Sequence, residues 1–189
     1  MKSIRSSIRR QVVYVAFATA SILMVPLLAM QLTGEVNWSL FDFIIMGILL
    51  FGTGLTYVLI SRLSDSIAYR AAVGVAVVAG LLLIWINLAV GIIGSENNPA
   101  NQLYIVVLIV GIIGACIARL RPLAMARTLF VTALAQLLVP MIAMLIWRPS
   151  LENAPGIIGV FILNAFFAAL FIVSGKLFRH AGTNDLPAE

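Results

Sequence analysis

Charge is scarce in this chain. Only 10% of its 189 residues are Asp, Glu, Lys or Arg, while 62% are hydrophobic and the mean hydropathy is +1.12. A soluble domain carries roughly 25% charged residues, so these side chains cannot cover a water-facing surface, and the apolar surface must face lipid. Cysteine is almost absent. Cys116 stands alone, which excludes an internal disulfide and a zinc site built on several cysteines; inside an apolar run it reads as a small packing residue. Histidine is as rare: His180 sits beside Arg179 in the C-terminal region, where solvation explains it better than metal ligation. No glycine-rich phosphate loop, zinc-ligand spacing or Ser-His-Asp set is present, so neither a cofactor nor a metal is expected.

Long apolar runs are what the chain has in abundance. A helix needs ~20 apolar residues to cross ~30 Å of hydrocarbon. Val12–Leu32, Leu40–Ile60, Ala71–Gly94, Leu103–Ala118, Ala126–Trp147 and Gly156–Phe178 meet or approach that length, and Pro99–Gln102 can extend the short fourth run. Only brief connectors separate them. The expected fold is all-α: a polytopic transmembrane helical bundle of six helices. Basic residues before an apolar run also describe a signal peptide, but the run from Val12 exceeds a ~7–15-residue h-region and no small-x-small cleavage site follows. It is read as a retained anchor.

The net charge of +5 and pI near 10.0 would suggest nucleic acid in a soluble protein. Here the cations sit at run ends, which makes them orientation signals. Lys2, Arg5, Arg9, Arg10, Arg62, Arg70, Arg119, Arg121, Arg127, Lys176 and Arg179 fall on one side of a six-helix arrangement, and only Arg148 on the other. Positive residues resist translocation, so both termini are expected in the cytoplasm. Glu35, Asp42, Glu96 and Glu152, with Trp38, Trp85, Tyr104 and Trp147 as interfacial aromatics, then mark the outer ends.

Lipid gives helices little hydrophobic reason to associate, so small residues must let them approach. Ala72, Ala76 and Gly80 of the third helix, Gly111 with Ala115, and Gly114 with Ala118 of the fourth suggest that these two form a tight hairpin. Asn87, Gly91 and Gly94 would share one face. Pro26 and Pro140 are candidate kinks, since proline removes a backbone donor. Gly-Ile-Ile-Gly recurs at 91–94, 111–114 and 156–159, but the flanking residues do not match and the copies are read as coincidence.

No Asp, Glu, Lys, Arg or His lies in the central part of any run. Ion pumps and proton-coupled carriers place ionisable groups there, so both classes are disfavoured, as is an intramembrane enzyme. Three amides remain: Asn87, Gln136 and Asn164. At ~1.5 Å per residue, Asn87 and Asn164 lie roughly 10–12 Å from the outer ends and Gln136 roughly 16 Å. They read either as interhelical hydrogen-bond partners or as the lining of a small outward-open cavity. Beside its mouth would lie the polar connector Ser95–Asn101, with Glu96, Asn97 and Asn101 as candidate site residues. Asn98 before Pro99 reads as a helix N-cap followed by proline at the first helical position.

The stretch Trp85–Asn101 resembles one in a family of small bacterial four-helix integral membrane proteins, and so do Ile117-Ala-Arg-Leu-Arg-Pro122, Met125-Ala-Arg127, Ala133-Leu-Ala-Gln136 and Asn164-Ala-Phe-Phe167. The resemblance covers about residues 66–180. It implies a bacterial inner-membrane protein with a four-helix unit over 66–180, which leaves a tail and two-helix extension over 1–65; residues 181–189 read from their composition as a disordered tail. It carries no activity with it. Members show Glu-Asp-Asn-Pro-Ala-Asn where this chain has Glu96-Asn-Asn-Pro-Ala-Asn101, so the connector has one acid fewer and is a poorer metal site. Asn98-Pro99-Ala100 also spells the aquaporin tripeptide, but aquaporins carry two copies inside the membrane, and here one copy sits in a connector. The functional expectation is a non-enzymatic membrane subunit that partners the lipid bilayer, itself or a larger membrane complex, without nucleic acid. A small-solute or lipid transporter using the amides is the alternative.

Overall fold

Hydrocarbon offers no hydrogen-bond partners, so each apolar run must satisfy its own backbone, and a helix does so within one segment. The computed structural model describes residues 2–34, 36–146 and 156–184. They form α1 (Lys2–Leu32), α2 (Leu40–Ile60), α3 (Ile67–Ala89), α4 (Leu103–Ala118), α5 (Pro122–Ile146) and α6 (Gly156–Asn184), with 3₁₀ turns at Ser61–Leu63 and Pro99–Gln102. No strand occurs among the described residues. All six helices are long and apolar enough to cross a membrane. Pro26 and Pro140 lie inside helices that continue through them. Glu35, Trp147, Arg148 and Glu152 fall outside the described residues.

Two helix ends differ from the sequence expectation. α3 stops at Ala89, short of Gly94, because Gly91 and Gly94 both adopt a φ of +70°. Gly91 and Gly94 therefore do not share a helical face with Asn87. α6 continues to Asn184, and Ala181 and Gly182 are buried, so the first residues of the expected disordered tail are helix.

The chain divides into two compact units, Met1–Arg62 and Leu63–Glu189. In the first, α1 packs on α2. Gly54 makes room for Val15: a Cβ at Gly54 would lie 2.6 Å from Val15 Cγ1. Ser39 and Asp42 close a capping box at the start of α2, with Asp42 Oδ2 accepting from the Ser39 N–H at 2.7 Å. At the other end of the hairpin, the Arg62 guanidinium donates to Gln11 Oε1 through Nε at 3.0 Å and through a terminal nitrogen.

In the second unit the principal packing runs α3 on α6, α6 on α5 and α5 on α4. The expected α3–α4 hairpin is not the close pair. Small residues do govern approach, but they choose other partners. On α3, Ala72 is fully buried and its carbonyl accepts from the Ser174 hydroxyl of α6 at 2.7 Å. The glycine face of α4 receives threonines of α5: Thr132 opposite Gly111, and Thr128 opposite Gly114. α6 closes on α5 where Gly175 meets Phe130 and Gly182 meets Leu123. Between α3 and α4, by contrast, a Cβ at Gly80 would only reach Leu108 at 4.0 Å.

Gly111 and Gly114 thus make a paired test on one helix. A Cβ at Gly111 would find Thr132 Oγ1 at an ordinary 3.6 Å, whereas one at Gly114 would stand 3.2 Å from Thr128 Cβ and collide with its methyl. Gly111→Ala is expected to be neutral or stabilising, since alanine favours helix by ~1 kcal/mol. Gly114→Ala should destabilise by about 1–3 kcal/mol through overpacking. Unfolding titrations in mixed micelles measure both.

Candidate functional site

Polar side chains inside a membrane bundle have to find each other, and the structure pairs them in two separate groups. Gln136 of α5 and Asn164 of α6 are both completely buried, and Gln136 Nε2 donates to Asn164 Oδ1 at 2.9 Å. Tyr104, the first-turn tyrosine of α4, joins them: its hydroxyl oxygen lies 2.9 Å from Asn164 Nδ2 and 3.2 Å from Oδ1. Asn164 Nδ2 also donates to the Val160 carbonyl at 2.8 Å. That last bond settles the amide's orientation, because a carbonyl can only accept. Oδ1 must then be the acceptor for Gln136, which turns Gln136 Oε1 away. Gln136 Oε1 is buried and has no partner among the described residues. Pro140, four residues on, has no N–H, so the main-chain carbonyl of Gln136 also lacks its usual helical donor.

Asn87 is not part of this cluster. With α3 ending at Ala89, it sits in the last turn of its helix. Its Nδ2 donates to the main-chain carbonyl of Asn101 at 3.3 Å. The three amides therefore do not converge on one opening: two join α4, α5 and α6, and the third supports the connector.

The connector is organised by Asn101. Its Oδ1 accepts from the N–H groups of Ile92 and Ile93 at 3.1 and 2.9 Å. Its Nδ2 donates to the carbonyls of Ser95 at 2.7 Å and Ile93 at 3.4 Å. One buried side chain thus satisfies the backbone of a turn that folds back under itself and buries Ile92, Ile93 and Ala100. Gly91 is required at the start: it is left-handed, and a Cβ there would lie 2.6 Å from the Ser95 carbonyl oxygen and 2.7 Å from Asn101 Nδ2. Asn98 caps Pro99–Gln102, its Oδ1 accepting from the Ala100 N–H at 3.0 Å, as its position before proline predicted. Glu96 and Asn97 are exposed on the outside of this turn. Among the described residues no group of three His, Cys, Asp or Glu comes together to hold a metal.

Sequence reasoning passed over the opposite end of the unit. Arg119 and Leu120 follow α4 with φ of 48° and 58°, left-handed conformations that L-residues adopt at a cost of roughly 1–2 kcal/mol each. The turn is held by Tyr69 of α3, whose hydroxyl donates to the Leu120 carbonyl at 2.9 Å. Tyr69 is itself buried edge-on against Phe178 of α6, with ring centroids 5.1 Å apart. The only sequence signal was a tyrosine in the first turn of a helix, which is too common to single out.

Each arrangement has a distinguishing substitution. Asn164→Leu strands the Gln136 amide and the Tyr104 hydroxyl and should destabilise by about 1–3 kcal/mol. Gln136→Leu removes a bond but also an unpartnered acceptor, so its effect should be the smaller of the two; equal losses would contradict the amide orientation. Asn101→Ala and Asn101→Asp should both release the connector, the second because a carboxylate oxygen would face two carbonyls. Hydrogen exchange over residues 90–98 should then rise by about tenfold or more, as loss of at least 1.4 kcal/mol implies. Glu96→Gln and Asn97→Asp should leave it unchanged.

No protein-family model matches this chain, and no curated protein or solved structure matches it either. The geometry of these polar groups is therefore the basis for a functional reading.

Proposed function

We propose that this chain is a non-enzymatic subunit of a bacterial inner membrane, with both termini in the cytoplasm, that acts by assembling with copies of itself or with a larger membrane complex. The observation that carries this reading is the enclosure of the polar groups. Gln136 and Asn164 are fully buried and bonded to one another, and Asn101 is consumed by its own turn. Such groups brace helices and a connector rather than offer a solute a lined path. The outward surface is left to apolar side chains such as Ile105, Ile109, Ile112 and Ile113 of α4 and Leu134, Leu138 and Met141 of α5. The distribution of Lys and Arg supports the orientation, and the resemblance over residues 66–180 supports the bacterial membrane.

Two experiments test the proposal. Affinity purification in mild detergent should recover a stoichiometric membrane partner or a homo-oligomer. A homogeneous monomer carrying a bound small molecule would instead favour a transporter. For orientation, single cysteines are placed in a Cys116→Ser background. Asn97→Cys should react with an impermeant thiol reagent added to intact cells, and Asp65→Cys only after lysis. The opposite pattern would sink the cytoplasmic placement of the termini.

A further inference from the structure

The turn between α4 and α5 joins the end of α6 in forming a recess of about 380 Å³, lined by Arg121, Pro122, Leu123, Ala124, Arg127 and Gly182. The recess is open to its surroundings rather than an enclosed cavity. Two features of the fold build it. The left-handed pair Arg119–Leu120, held by the Tyr69 hydroxyl, sets the path of the chain into Arg121. Gly182 lets α6 come up against the start of α5, since a Cβ there would stand 2.7 Å from Leu123 Cγ and 3.2 Å from the Leu123 nitrogen.

Its lining is of two kinds. Arg121 and Arg127 are exposed guanidinium groups, forked donors that match phosphate oxygens two at a time. Pro122, Leu123 and Ala124 are an apolar rim, with Leu123 41% exposed. Cations surround it in sequence and at the same end of the unit: Arg70, Arg119, Lys176 and Arg179, with His180. Among the described residues, the acid near this end is Asp65. Asp65 precedes α3 and is exposed, and Asp185 and Glu189 follow α6 outside the described residues. Glu96 belongs to the connector at the other end.

We propose that this recess binds the phosphate of an anionic phospholipid. Phosphate chemistry alone could come from a lipid headgroup or from a soluble phosphate. The lipid is favoured because the two arginines share the recess with an apolar rim at the ends of two helices apolar enough to span a membrane. A headgroup with its glycerol and first acyl carbons presents that same sequence of charge and apolar surface. A dissolved phosphate has no use for the rim.

The test is lipid binding to the full chain in detergent, followed by native mass spectrometry. Phosphatidylglycerol and phosphatidylcholine with identical acyl chains serve as probes, and millimolar inorganic phosphate as competitor. The unaltered protein should hold phosphatidylglycerol about tenfold more tightly than phosphatidylcholine, as expected for a few cations near a membrane surface. Arg121→Gln with Arg127→Gln should bring the two lipids within about twofold, while Arg9→Gln with Arg10→Gln should not. Arg121→Lys with Arg127→Lys keeps the charge but loses the fork, and should give an intermediate ratio. Three results would overturn the proposal: no preference in the unaltered protein, a preference that survives the double glutamine variant, or displacement of the lipid by inorganic phosphate. Both arginines are exposed, so circular dichroism of the variants should be unchanged, and a loss of helix would be detected before any binding result is read.

Discussion

Hydrocarbon cannot accept or donate a hydrogen bond, and the rest of this structure follows from that constraint. Helices satisfy it over most of the chain without help from neighbours. Help is needed wherever the backbone leaves the helix or a side chain is polar, and there one residue serves several groups. Asn101 satisfies two N–H groups and two carbonyls of the connector. Tyr69 takes the carbonyl of the left-handed turn after α4. Asn164 collects Tyr104, Gln136 and its own helix's Val160 carbonyl.

Because lipid tails are as apolar as the side chains, packing distance decides which helices pair. Glycine and alanine supply close approach, but they do so only if the opposite helix brings something that fits. α4 offers Gly111 and Gly114, and α5 answers with Thr132 and Thr128. α3 offers Ala72, and α6 answers with the hydroxyl of Ser174. Chain neighbours joined by the connector are less well matched: α3 and α4 share little more than Gly80 and Leu108. The connector between them compensates by folding its own apolar residues inward. Its polar composition reflects an internal job for Asn101 and Asn98, while Ser95, Glu96 and Asn97 are presented outward.

Much of the site was visible as residue types and little of it as geometry. Asn87, Gln136, Asn164 and Asn101 stand out because amides are costly in an apolar chain. Their grouping was not visible, since it depends on which helices touch. Placing Asn87 with the other two followed from extending α3 to Gly94, and a left-handed glycine has no signature that separates it from the many glycines packed inside membrane helices. Tyr104 looked like an interfacial aromatic, and its hydroxyl bond to Asn164 needs α4 and α6 to be brought together first.

By itself, the sequence determined that this chain is all-helical, that six of its segments can span a membrane, and that no ionisable group lies near mid-span, because those properties depend only on local composition and length. It also determined the cap at Asn98-Pro99, a strictly local hydrogen bond. The tertiary structure decided the order α3–α6–α5–α4, the division of the amides into a braced core and a braced connector, and the recess beside Arg121 and Arg127. Those depend on surface shape across helices that are far apart in the chain. Apolar periodicity cannot carry that information when the central part of each span is apolar on nearly every face.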